Sequence, residues 1–263
     1  MKAQIIVTIG PATNNEKTIR EMIENGMDLA RLNFSWGTYE EHRLYIGLIR
    51  KLALELGGKT PIIQDLSGPR IEKGENHYFD ATVDKILTKK DLADLDFAKE
   101  QDIDYVAQSY VGSGRDIMEL RQEMAKRNFN KPIIAKIERK KALENLDEII
   151  KASDALMIAR GDLGNEIPLE TIPYAQRTVI KKAKEAKKPM ITATGIMLSM
   201  MNNPIPSRSD VSDATWAILD GSDSLMLSEE TATGNYPVEV VSMMRKIVAE
   251  AERRQPEAVI NLL

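Results

Sequence analysis

The sequence contains no cysteine. Disulfides, thiolate metal sites and cysteine nucleophiles are therefore excluded, and the composition suits a cytoplasmic protein. Aromatic residues make up only 5%, and the formal net charge is −4. With few stacking platforms and no positive field, a nucleic-acid partner is not expected. No apolar run approaches the roughly 18 residues that a membrane-spanning helix requires, so no membrane partner is expected either. The start, Met1-Lys2-Ala3-Gln4-Ile5-Ile6-Val7-Thr8, leads directly into a strand-like run, and no signal peptide is expected. Also missing are an internal repeat, a Pro-, Gly- or Ser-rich linker, and the Gly-rich phosphate fingerprint that opens many doubly wound sheets.

What is present is a globular composition, 43% hydrophobic and 29% charged over 263 residues. That length suits an α/β barrel, which needs about 250 residues. Short apolar, β-branched runs fall at 4–9, 29–34, 61–65, 105–109, 132–137, 155–159, 189–193 and 224–227. Each is too short for a helix and apolar enough for burial on both faces, as parallel strands are. Helix-period segments alternate with them at 16–25, 39–56, 90–101, 115–127, 141–151, 172–186, 209–219 and 238–251. The pattern predicts a single-domain α/β protein, a (β/α)8 TIM barrel over residues 1–252, followed by a tail at 253–263. One irregular connection, 73–87, is a short excursion too small to form a domain.

In such barrels the chemistry lies just past the C-terminal ends of the strands. Lys136 and Glu138 stand two residues apart on one strand, so both point toward the axis. Amid Ile133, Ile134 and Ile137 they form either a buried ion pair that fills a barrel layer or part of a working site. On the second reading Asp162 adds a carboxylate from the next strand. Two carboxylates, with water and substrate oxygens completing the shell, suit Mg2+ or Mn2+. Lys136 would then stabilise negative charge developing beside the ion. Arg160-Gly161-Asp162-Leu163-Gly164 reads as a glycine-containing turn whose N–H groups suit an anion. Asn33, Ser35 and Asp65 are suited to a monovalent cation or to hydrogen bonding one another. Elsewhere, His42 beside Glu40 and Glu41 is expected in solvent, and His77 in a loop, with a functional role left open by its place near the end of strand three. Met197, Met200 and Met201 fit packing, and Lys181-Lys182 and Lys187-Lys188 fit a solvated helix end.

Taken together, the strand-end segments resemble the pyruvate kinase family. The likeness is carried by Thr8-Ile9-Gly10-Pro11-Ala12, Ala30-Arg31-Leu32-Asn33-Phe34-Ser35, Gln64-Asp65-Leu66-Ser67-Gly68-Pro69 and Ala135-Lys136-Ile137-Glu138. It continues through Ala159-Arg160-Gly161-Asp162-Leu163-Gly164, Ala193-Thr194, Leu219-Asp220-Gly221-Ser222-Asp223 and Met226-Leu227-Ser228-Glu229-Glu230-Thr231, in the family's order. The resemblance implies a barrel that binds phosphoenolpyruvate or pyruvate. Glu138 and Asp162 would hold the divalent metal, Lys136 would stabilise the transferring phosphoryl group and the enolate, and Arg31 would contact phosphate. Thr194 would serve the opposite face of the enolate, and the Gly161 and Asp162 N–H groups the substrate carboxylate. Asn33, Ser35, Asp65 and the Leu66 carbonyl would match a K+ site. Position 70 is Glu in potassium-dependent relatives and Lys in independent ones, so the resemblance leaves Arg70 to supply that charge itself.

The departures are as specific. The excursion 73–87 stands where the family inserts a lid domain, and the C-terminal domain often present has no counterpart. Glu72 replaces a phosphate-binding Arg, Trp36 a His, Gly195 a Gln, Glu229 a Gly and Thr233 a Lys. Without a lid, ADP loses one wall of its site, whereas chemistry on pyruvate itself keeps its barrel residues. The leading expectation is a minimal pyruvate kinase making pyruvate and ATP from phosphoenolpyruvate and ADP. The alternatives are a metal-dependent lyase or decarboxylase of a 2-keto acid such as oxaloacetate, and a non-catalytic keto-acid-binding barrel. The partners expected are these small molecules, with a homo-oligomer left open.

Overall fold

The expected strands form where the apolar runs lie. The structure, a computed structural model, describes residues 3–73 and 76–254. In chain order the strands are β1 (Gln4–Thr8), β2 (Leu29–Asn33), β3 (Ile62–Asp65), β4 (Arg70–Lys73), β5 (Asn76–Phe79), β6 (Tyr105–Gln108), β7 (Ile133–Ile137), β8 (Ala155–Ala159), β9 (Met190–Ala193) and β10 (Ser224–Leu227). All but β4 and β5 pair in parallel into a closed barrel, which β10 completes against β1 with Gln4 opposite Ser224. The helices are α1 (Glu16–Glu24), α2 (Tyr39–Glu55), α3 (Lys89–Glu100), α4 (Gly114–Lys126), α5 (Lys140–Glu144), α6 (Leu146–Ala152), α7 (Arg160–Leu163), α8 (Ile172–Glu185), α9 (Arg208–Leu219), α10 (Glu229–Ala232) and α11 (Pro237–Arg254). Among the described residues no helix is long and apolar enough to cross a membrane.

Strand period two divides the core into two shells. On β7, Ile133, Ala135 and Ile137 pack outward in the large cluster under the helices, whereas Ile134 joins the smaller cluster inside the barrel. Ile6, Leu29, Ile63, Met157, Ile191 and Met226 fill that inner shell. Lys136 and Glu138 continue the inward row above Ile134, and so reach the C-terminal mouth as their spacing predicts. Side-chain caps begin several helices sharply. Thr38 and Glu41 form a reciprocal capping box at α2, Thr88 and Asp91 at α3, and Ser207 and Asp210 at α9.

Three expectations need correction. The helix read at 141–151 breaks into α5 and α6 at Asn145, whose backbone leaves the helical region while its Nδ2 donates to the Gly112 carbonyl at 2.7 Å. The excursion carries an antiparallel hairpin, β4–β5, with Arg70 opposite Phe79 and Glu72 opposite His77. His77 therefore belongs to a strand. His42 is buried, with 4% of its surface exposed, stacked on Phe34 at 4.1 Å with Nε2 3.0 Å from the Trp36 carbonyl oxygen. The residues at 255–263 of the expected tail lie outside the described part.

Truncating the inner shell should cost stability without dissolving the secondary structure. For Ile134→Ala, urea melts should show a loss of about 2–5 kcal/mol, the range for a buried aliphatic side chain cut to Ala. A loss below about 1 kcal/mol would mean that the interior is loosely packed.

Candidate active site

The mouth of the barrel is organised by a buried cluster of charge. Lys136 Nζ donates to Ser109 Oγ at 2.8 Å and lies 3.2 Å from both Asp65 Oδ1 and Glu138 Oε2. Asp65 is fully buried, and its Oδ2 accepts from Arg31 Nη2 at 2.6 Å and Nε at 3.0 Å. Burial raises the pKa of the Asp65 carboxyl, but the Lys136 and Arg31 charges outweigh it and hold the group below the ordinary range. Lys136 shows the reverse balance. Burial disfavours its ammonium, while Asp65 and Glu138 keep it charged.

Glu138 differs from Asp65. Burial pushes its carboxyl above the usual range, Lys136 counters only in part, and the Asp162 and Asp65 charges push further upward. Its Oε1 accepts from the Tyr110 N–H at 2.6 Å. Its Oε2 is buried and has no hydrogen-bond partner among the described residues, because Lys136 approaches outside hydrogen-bonding geometry. A buried carboxylate oxygen with a nearby ammonium but no hydrogen bond is incompletely satisfied. Asp162 stands on the four-residue α7, with Oδ1 3.1 Å from His77 Nε2 and 3.5 Å from the Tyr110 hydroxyl. Burial would raise Asp162, but His77 and Lys136 hold it low. Among the described residues no group of three or more His, Cys, Asp or Glu could ligate a metal. Glu138 and Asp162 offer two carboxylates at the mouth, a pair that would suit Mg2+ or Mn2+ only with water and substrate oxygens completing the shell.

Backbone strain supports the opposite wall. Thr194 has φ +73° and Tyr110 φ +57°, left-handed values that are uncommon for any side chain and unusual for a β-branched one. The Arg160 guanidinium fixes the Thr194 carbonyl at 2.9 Å and is itself held by Asp213 at 2.6 Å. Gly161 allows this proximity, since a Cβ there would meet Thr194 Cγ2 at 2.9 Å. Because α7 begins at Arg160, the N–H groups of Gly161 and Asp162 fall in its first turn and lack intrahelical acceptors. These walls enclose a cavity of ≈ 330 Å³ lined by Arg31, Arg70, His77, Lys136, Asp162 and Thr194, among others. A second cavity, ≈ 510 Å³, adjoins it through Arg31, Asn33, His77 and Glu229 and includes Pro11, Trp36, Tyr45 and Thr233.

The structure thus brings Lys136, Glu138, Asp162, Arg31, Gly161 and Thr194 to one mouth. The expected monovalent set is closely engaged with the protein itself. Asn33 Oδ1 accepts from the Ser35 N–H at 3.1 Å, Ser35 Oγ lies 3.4 Å from Ser67 Oγ, and the Leu66 carbonyl accepts from Ser109 Oγ at 2.6 Å. Arg70 donates through Nε to Glu72 Oε1 at 2.8 Å and lies 4.7 Å over the Trp36 ring. Sequence reasoning overlooked Ser109 and Tyr110, which follow β6, although the strand-end rule that found the others applies there equally. It read His77 as a loop residue with a functional role open, without assigning it to the site.

Comparisons with known proteins agree with the barrel fold. Residues 1–85 and 73–241 match the family profile described as "Pyruvate kinase, barrel domain", in two pieces that overlap where the hairpin lies. Proteins named pyruvate kinase from Thermococcus litoralis, Sporosarcina psychrophila and Staphylococcus haemolyticus are 35%, 34% and 33% identical over 95%, 95% and 97% of this chain. The chain spans 70% of the first of these relatives and 57% and 58% of the other two. The alignments run to 331, 334 and 337 positions although the chain has only 263 residues, so each relative carries residues without a counterpart here.

Removing Asp65 tests whether its role is to neutralise the two cations. Asp65→Ala leaves Arg31 and Lys136 buried without it, and denaturant unfolding should show a loss of about 3–5 kcal/mol. Stability equal to the parent would show that those cations have other partners.

Proposed function

Because the chain belongs to the pyruvate kinase family, we propose that this mouth carries out divalent-metal-dependent chemistry on the enolate of pyruvate, with phosphoenolpyruvate as phosphoryl donor and ADP as acceptor. The observation that carries the reading is the buried, unbonded Oε2 of Glu138 beside the Lys136 ammonium. Glu138 and Asp162 would hold Mg2+ or Mn2+, which would supply positive charge to stabilise the substrate's developing negative charge. Lys136, oriented by Ser109 and Asp65, stabilises charge on the enolate oxygen and on the transferring phosphoryl group. The Gly161 and Asp162 N–H groups orient the carboxylate. Arg31, anchored on Asp65, directs its remaining donors at phosphate. In balance, the bond from phosphorus to the enol oxygen breaks and one to an ADP oxygen forms. A proton then adds to the enolate carbon on the face assigned to Thr194.

One observation favours a second reading. Arg31 pairs with Asp65, Lys136 with Asp65 and Glu138, and Arg70 with Glu72. Each Lys and Arg of the smaller cavity thus has a carboxylate already, and Glu229 adds an exposed acid where the two cavities meet. Such a rim suits a substrate with fewer phosphates than a nucleotide carries, such as oxaloacetate, which yields the same enolate on losing carbon dioxide.

Two assays separate the readings. With Mg2+, phosphoenolpyruvate and ADP, the protein should form ATP, and Glu138→Gln should abolish it. Pyruvate release from oxaloacetate without ATP formation would select the decarboxylase. Pyruvate binding with neither activity would leave a binding barrel. Since Arg31 and Lys136 already neutralise Asp65, replacing K+ by tetramethylammonium should leave the rate unchanged. A large fall would assign Asn33, Ser35, Asp65 and Leu66 to a required K+.

A further inference from the structure

The hairpin offers the site a polar face. In an antiparallel pair, directly opposed residues share a face, and alternate residues along a strand do too. Arg70 and Glu72 on β4, with Phe79 and His77 opposite them on β5, therefore form one face, and Ile71 opposite Tyr78 forms the other. The first face lies over the barrel mouth. Arg70 rests on Trp36, and Phe79 lies beneath the Arg139 guanidinium at 3.5 Å and 5.4 Å from the Tyr110 ring. Ile71 and Tyr78 are each 38% exposed.

His77 sits between these anchors with Nε2 3.1 Å from Asp162 Oδ1. Tyr110, against which Phe79 packs, donates its N–H to Glu138 and holds its hydroxyl 3.5 Å from the same Asp162 oxygen. The hairpin thus touches both carboxylates assigned to the metal, Asp162 directly and Glu138 through Tyr110. A side chain that bonds one oxygen of a ligating carboxylate fixes its rotamer and leaves the other oxygen for the ion.

We infer that His77 is a positioning residue for the divalent-ion site, holding Asp162 in its ligating orientation from the hairpin. The inference rests on the reading that Glu138 and Asp162 hold the ion. The role needs only an Nε2–H donor facing Asp162 Oδ1, which the hairpin supplies.

The test is Mn2+ binding to the whole protein without substrate, followed by the electron paramagnetic resonance of free Mn2+. His77→Ala should weaken binding roughly 10- to 100-fold, the usual effect of losing a partner behind a metal ligand. His77→Gln, whose amide can donate from a similar position, should restore most of it, which a merely structural loss would not allow. Glu138→Gln should abolish binding. Mn2+ affinity in His77→Ala equal to or tighter than the parent's, with Glu138→Gln still crippled, overturns the role of His77 alone. Nitrogen coupling on bound Mn2+ also overturns it, by making His77 a ligand. Binding unaffected by Glu138→Gln overturns the metal reading itself.

Discussion

The site depends on a single electrostatic constraint, the need to balance charge in a region that water barely reaches. Asp65, Lys136 and Glu138 are each at least nine-tenths buried. A lone ion there would cost several kcal/mol, so each is tolerable only with its neighbours in place. Asp65 is the pivot, because it faces the ammonium of Lys136 on one oxygen and the guanidinium of Arg31 on the other. Both cations are thereby aimed at the mouth before any substrate arrives. Glu138 is the member whose balance is left incomplete, since its Oε2 has the Lys136 ammonium nearby but no hydrogen bond.

Around this cluster the protein uses rigid parts for placement and strained parts for proximity. Lys136 lies on a barrel strand and Glu138 one residue past its end, so their spacing follows from the pleat. Thr194 and Tyr110 lie just past strand ends, where left-handed backbone turns them back over the cavity. Such conformations persist only when neighbours enforce them. Arg160 enforces one by holding the Thr194 carbonyl, and the hydrogen bond from Tyr110 to Glu138 reinforces the other.

The barrel was legible because parallel strands are buried on both faces and stand out as short β-branched runs between amphipathic stretches. Lys136 and Glu138 were legible because the same period that buries Ile134 must carry them inward. The hairpin was not, since the face it turns to the mouth carries Arg70, Glu72, His77 and Phe79, with Glu72 itself exposed, while Ile71 and Tyr78 on the other face are each 38% exposed, so neither face reads as an apolar buried one. Only geometry reveals that the polar face lies toward the barrel mouth. His42 was misread from its sequence neighbours Glu40 and Glu41. Its helical neighbours Tyr45, Ile46 and Ile49 are buried, so the 3.6-residue period places it inward with them. Asn145 broke a helix for a contact with Gly112 that no local pattern encodes.

The way the hairpin joins the barrel has a consequence for the architecture. Arg70 and Phe79 are paired, so the chain departs from and returns to the rim at adjacent points. A junction with neighbouring ends is a socket. The entropy of closing whatever is plugged into it grows only logarithmically with length, so β3 and α3 need not sense whether the insert is a few residues or a whole module. The relatives' longer alignments, and the profile match that divides at this place, fit such an exchangeable part. The barrel can therefore be treated as a chassis whose roof is swapped without redesigning the floor.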